Sequence, residues 1–113
     1  MTANELLYSS LNNTPYTVHA LKAPQNAVYP ISIYNQINDN YETCADGSKG
    51  NLEVLYQIDT YGTDLGVCKA ITQSFISALQ SDTRFEVVVY DVRDTIEDTG
   101  AIYRSMVELK LWI

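Results

Sequence analysis

At 113 residues the chain has room for one domain spanning 1–113. Its 46% hydrophobic residues suffice for a real core, but no run approaches the roughly 18 to 20 apolar residues of a membrane span. Seven Lys and Arg against fourteen Asp and Glu give a net charge of −7, which argues against a nucleic-acid grip built from clustered cations, though not against a wall that DNA slides past. Cys44 and Cys68 are far apart and form no C-x-x-C pair, so zinc-binding and thioredoxin-type motifs are excluded.

The first element is a short helix. Thr2 and Glu5 have the spacing of a capping box, Leu7 and Leu11 fall one turn apart, and Asn12-Asn13-Thr14-Pro15 stops the helix. The N-terminal residues lack the basic segment and apolar stretch of a signal peptide, so a reducing compartment with free thiols is expected. Residues 16–22 read as a short extended piece. Tyr29, Ile31, Ile33 and Ile37 alternate with Pro30, Ser32, Tyr34 and Gln36, which predicts a strand with the isoleucines on its apolar side. Residues 38–50 are polar and contain Asp39, Glu42, Asp46, Gly47, Lys49 and Gly50. They read as a long exposed hairpin loop, a feature that in a small domain points to function.

Leu52, Val54, Tyr56 and Ile58 alternate with Glu53, Gln57 and Asp59, giving a strand over 51–61. After the Gly62 turn, Thr63 is the predicted cap of a second, longer helix. Its stripe is Leu65, Cys68, Ile71, Phe75 and Leu79, running to about Gln80. Phe85, Val87 and Val89 begin another strand, which ends near Arg93. Residues 94–100, with Asp94, Glu97, Asp98 and Gly100, read as an acidic turn. The last strand sets Val107, Leu109 and Leu111 opposite Arg104, Glu108 and Lys110. The order is α-β-β-β-α-β-β. It predicts an α+β fold: a mostly antiparallel sheet of four to five strands, with one long helix packed on it and a short N-terminal helix.

Little in this chain reads as chemistry. His19 is the only histidine. A Cys–His nucleophile would need Cys44 or Cys68 beside it, yet Cys68 lies on the apolar stripe of the second helix and Cys44 in the polar loop. Asp91, Asp94, Glu97 and Asp98 could gather a hard cation, but their spacing matches no EF-hand, and a solvated turn is the simpler reading. Gly47-Ser48-Lys49-Gly50 lacks the order of a phosphate loop and is followed by a strand rather than a helix. No catalytic residue, metal ligand or cofactor is therefore expected, and no enzyme. A small-molecule binding module remains the alternative if an apolar pocket opens between the second helix and the sheet.

Nine tyrosines in 113 residues is high, and Tyr suits interfaces because a large ring carries a polar tip. Tyr34 and Tyr61 fall opposite the apolar sides of their strands. With Asp39, Tyr41, Glu42, Asp46 and Lys49 of the polar segment, they are the candidate interface residues.

Several pieces together resemble a known group. They are the first helix, Ala23-Pro24, Tyr29-Pro30-Ile31, Ser48-Lys49, residues 55–61 (Leu-Tyr-Gln-Ile-Asp-Thr-Tyr), Gly66, the helix end Ala78-Leu79, and Met106-Val107-Glu108-Leu109. In this order they are similar to the tail-completion, or tail-terminator, proteins of long-tailed bacteriophages, and the similarity spans nearly the whole chain. The acidic polar segment and the tyrosine-rich sheet depart from that pattern. The resemblance implies a structural virion protein, assembled in the host cytoplasm. It implies a homo-oligomeric ring, typically a hexamer, that caps the head-proximal end of the tail. Its partners would be the tail tube protein and the head–tail connector or stopper proteins, with DNA passing through the channel without specific binding. The alternative within the same class is a head-completion or adaptor ring bound to the portal.

Overall fold

The computed structural model describes residues 3–20, 28–43, 49–98 and 102–112, and for residues 38–43, 49–52, 97 and 98 it describes the backbone only. Its elements are α1 (Ala3–Leu11), β1 (Val18–Ala20), β2 (Ile31–Thr43), β3 (Lys49–Gly62), α2 (Leu65–Ser81), β4 (Glu86–Asp98) and β5 (Ile102–Trp112). This is the predicted α-β-β-β-α-β-β order and an α+β fold. The five strands form one sheet in the order β1-β2-β3-β5-β4. β1 runs parallel to β2, and every other neighbouring pair is antiparallel.

Both helices pack on the same face of the sheet. In α1, Leu7 and Leu11 are fully buried and Leu6 nearly so, as their one-turn spacing requires. Thr2 of the expected capping box lies outside the described residues. The helix ends where the Thr14 hydroxyl donates to the Leu11 carbonyl at 2.7 Å. In α2 the stripe Cys68, Ile71, Phe75 and Leu79 is buried as predicted. Its cap is Asp64 rather than Thr63. The Asp64 carbonyl accepts the first helical bond from Cys68 N at 3.1 Å, and its side chain accepts from Val67 N at 3.3 Å.

Facing these helices are Val54, Tyr56 and Ile58 of β3 and Val107, Leu109 and Leu111 of β5, all within the core cluster. Burying each large apolar side chain contributes about 1.5–3 kcal/mol. Tyr16 meets Phe75 edge to face at 6.3 Å between ring centroids and closes one end of this core. Buried polar groups are satisfied locally: Ser32 Oγ lies 2.8 Å from Thr60 Oγ1, the Thr72 hydroxyl donates to Ser105 Oγ at 2.9 Å, and the Tyr56 hydroxyl donates to Asn4 at 2.5 Å.

Three sequence expectations are corrected. First, the phase of β2 is inverted: Ser32 and Tyr34 face the helices and are buried, Ile31 and Ile33 stand on the other face, where Ile31 is buried too, and Ile37 falls at a bulge and is exposed. Register decides this. Tyr34 pairs with Ile58 and Ser32 with Thr60, so β2 takes the phase of β3, and a shift of one position exchanges the two faces. Second, residues 38–50 are not one long loop. Asn38 to Tyr41 pair with Leu55 to Leu52, and Thr43 pairs with Lys49, so polar strand continues beyond the apolar stretch. Third, the acidic stretch 94–98 is the end of β4 rather than a turn, paired with β5 as far as Asp98 opposite Ile102.

The sheet is uneven in width. β5 ends at Trp112, opposite Glu53 of β3, while β2 and β3 continue past that point. Residues 41–43 and 49–52 therefore form a two-stranded arm among the described residues, in a molecule 55 Å long and about 25 Å in its other dimensions.

Candidate functional site

With both helices on one face, the other face of the sheet carries β-strand side chains alone among the described residues. There the exposed phase of β3 and β5 alternates charge with large apolar groups. Lys110 is ion-paired to Glu53 and sits over the Tyr90 ring, 4.9 Å from its centroid, and 5.7 Å from the centroid of Trp112. The bond to Glu53 above all, then Tyr90, raises the Lys110 ammonium above its ordinary pKa. Arg93 bridges Asp91 at 2.7 Å and Glu108 at 3.5 Å.

A tighter cluster lies toward β2. Asp59 is only 4% exposed, although it stands on the helix-free face. Its carboxylate accepts from Arg104 Nε at 3.0 Å and from Gln57 Nε2 at 3.0 Å, while the Arg104 guanidinium lies 5.8 Å from the Tyr61 ring centroid. Each of these carboxylates is held by a cation or an amide. Such an arrangement holds these side chains still across the helix-free face.

The margins of the sheet are the second feature. β4 has no strand on its outer side among the described residues, and Val88, Tyr90, Val92 and Ile96 along it are 42–62% exposed. At the opposite margin β1 covers only Ser32 to Tyr34, so residues 35–43 of β2 have no described strand beyond them. The run Val87-Val88-Val89-Tyr90 was the visible sequence signal for the first margin. By itself it predicts a strand and no more, because nothing local tells a marginal strand from an interior one.

Of the candidate interface residues, Tyr61 is half-buried on the helix-free face, as its phase predicts. Tyr34 is not on that face: it is buried in the core, 6.5 Å from the Tyr8 ring and 6.4 Å from the Tyr56 ring between centroids. Burial first, then the neighbouring Tyr8, raises its phenol above the usual tyrosine range. The backbones of Asp39, Tyr41, Glu42 and Lys49 lie along the two-stranded arm, while their side chains and all of Asp46 lie outside the described residues.

Cys68 is fully buried against Gly62, and Cys44 lies outside the described residues. Asp91 turns to Arg93 on the helix-free face, whereas Asp94 reaches Lys69 of α2 at 3.4 Å on the other, so the two do not converge on one ion. Among the described residues no group of three or more His, Cys, Asp or Glu side chains stands close enough to hold a metal. Between α2 and the sheet, Ile71, Phe75 and Leu79 fill the space where a ligand pocket would be. A hollow of about 150 Å³ lies beside Arg93, Thr95, Arg104 and Met106, and a wide, open one of about 560 Å³ lies beside Ser9, Ala78, Asp82 and Arg84, where the ends of the two helices meet; neither is lined by the apolar stripe of α2.

No family model matches this sequence, and no curated protein matches it. Solved structures do match its shape. A chain in the virion of a native gene transfer agent particle aligns with a TM-score of 0.65, covering 94% of this chain and 90% of that one at 11% identity. The bacteriophage SPP1 gp17 protein aligns with a TM-score of 0.59, covering 97% of this chain and 87% of its own at 13% identity. At these identities the likeness is one of fold. This chain has, over nearly its whole length, the fold of a gene transfer agent virion chain and of a bacteriophage protein.

Proposed function

We propose that the chain is a non-enzymatic structural protein of the virion, of the tail-completion type. It works as one subunit of a ring, a hexamer, that caps the head-proximal end of the tail. In this reading it joins the tail tube protein to the connector or stopper below the capsid, and DNA passes through without being gripped. The observation that carries the reading is the likeness to a virion chain across 94% of this chain and 90% of that one, in a molecule whose sheet keeps a helix-free face and two margins without described neighbours. Fold alone is a warrant by association. The physical support is the surface. An apolar strand margin is hazardous for a solitary domain and useful in an assembly. The net charge of −7 suits a channel wall that does not hold phosphates.

Electron microscopy of particles made with and without this chain tests the proposal. The expected result is density for the chain at the head-proximal tail end with sixfold symmetry, and tails detached from heads when it is missing. Density of twelvefold symmetry at the portal would replace the tail-end assignment with an adaptor role. Particles that assemble normally without the chain would overturn the proposal.

A further inference from the structure

We propose that the ring is closed by a strand joint, in which the outer edge of β4 in one copy pairs with the outer edge of residues 35–43 of β2 in the next. This rests on the ring reading above and names the surface that makes it. β4 carries apolar side chains on both faces. Val87 and Val89 pack against the core, whereas Val88 pairs with Lys110 on the helix-free face and Tyr90 lies under the Lys110 ammonium. Apolar residues on both faces are the pattern of an interior strand, yet here β4 stands at the margin. Of the charges on β4, Arg93 turns to Asp91 and Glu108 and Asp94 turns to Lys69 of α2, and the strand is bulged between Val89 and Asp91 and between Ile96 and Asp98.

The occupant is a second copy of this chain because the same sheet supplies the complementary edge. Residues 35–43 of β2, which have no described strand beyond them, form an edge about 30 Å long. Residues 35–38 (Asn, Gln, Ile, Asn) carry no charge, while Asp39 and Glu42 give the edge 35–43 a net charge of −2. Two β4 edges pairing with each other would instead make an isologous contact, which stops at a dimer and builds no ring. The two margins are at opposite ends of one sheet, so each joint leaves a fresh edge at both ends of the assembly. That is a head-to-tail contact, which closes into a ring when the rotation per subunit allows.

The test uses Val92→Lys with Ile96→Lys. Both side chains are exposed, at 42% and 62%, so the fold tolerates them, and an unchanged melting temperature checks this. Val67→Lys on α2, where the valine is 44% exposed, is the control for added charge. The β4 variant is expected to enter particles at least about tenfold less than wild type, while Val67→Lys enters normally. In a Cys44→Ser background, Val92→Cys combined with Ile37→Cys should give a ladder of cross-linked oligomers with a short bismaleimide, and neither single variant should. Dimers from Val92→Cys alone, without a ladder from the pair, would show β4 meeting β4 and overturn the joint. If wild type is present in particles and the β4 double-lysine variant enters equally well, the joint falls and the ring reading stands. If wild type is absent from particles, both fall.

Discussion

The pair that ties the end of α2 to the last turn of α1 is Asp82 and Arg84. Arg84 donates to Asp82 from Nε at 3.0 Å and from Nη2 at 2.6 Å, and to Ser9 Oγ at 3.3 Å. The Arg84 hydrogen bond, opposed by partial burial, lowers the Asp82 carboxyl from 3.8 to about 2. A folded-state pKa below the unfolded one means that the unfolded chain binds the proton more readily, so stability from this group rises with pH. It is fully present above about pH 4 and lost as pH falls toward 2. Because the Arg84 side chain is 39% exposed, screening reduces the benefit to about 1 kcal/mol. Asp82→Asn should therefore destabilise the chain by about that amount in urea unfolding at pH 7. The gap between variant and wild type should shrink to nothing near pH 2, and a gap that stays constant with pH would refute this account.

Between elements, the closest approach is where β3 turns into α2. A Cβ at Gly62 would lie 2.8 Å from the Cys68 sulfur and 3.4 Å from Pro30 Cβ. Gly62→Ala should cost about 1–3 kcal/mol as an overpacked contact. Adding Cys68→Ala, which removes the sulfur, should recover most of it, and a double-mutant cycle measures that coupling. No recovery would place the strain at Pro30. This junction also shows what the sequence made legible. Gly62 announced a turn, and the stripe from Cys68 to Leu79 located α2 and its buried face, because 3.6-residue periodicity is a local signal. The phase of β2 was not legible. Tyr34 and Ile33 are both large and apolar enough to face a core, and only pairing with Ile58 and Asp59 across the sheet chooses between them. Nor did composition locate the end of β2 or β4, since Asn38 to Thr43 and Asp94 to Asp98 are largely polar sequence that nonetheless pairs in the ladder. The candidate interface suffered likewise: Tyr61 was placed on the free face by β3's clear alternation, Tyr34 was misplaced, and exposed β4 went unrecognised.

At the scale of the molecule, stability and assembly are carried by different parts. The core lies where β3 and β5 meet the helices, around Tyr56, Phe75 and Leu109. The arm made by residues 41–43 and 49–52 continues past the end of β5, and a two-stranded ribbon without a third strand or a helix against it is marginal in water. Opening free energies should therefore grade along the same two strands, low in the arm and near the global value beside the core. Hydrogen exchange on the free chain should find the amides of residues 41–43 and 49–52 exchanging at least about a hundredfold faster than those of Ile58 and Val107. In assembled particles the arm amides should become protected, if the arm serves the joining of subunits or partners. The core amides should change little, since their burial does not depend on neighbours. Arm amides already as protected in the free chain as Ile58 would mean that the arm is a rigid part of the domain. Arm amides left as fast in particles as in solution would remove the arm from the contact surface and leave the sheet margins as the joining elements.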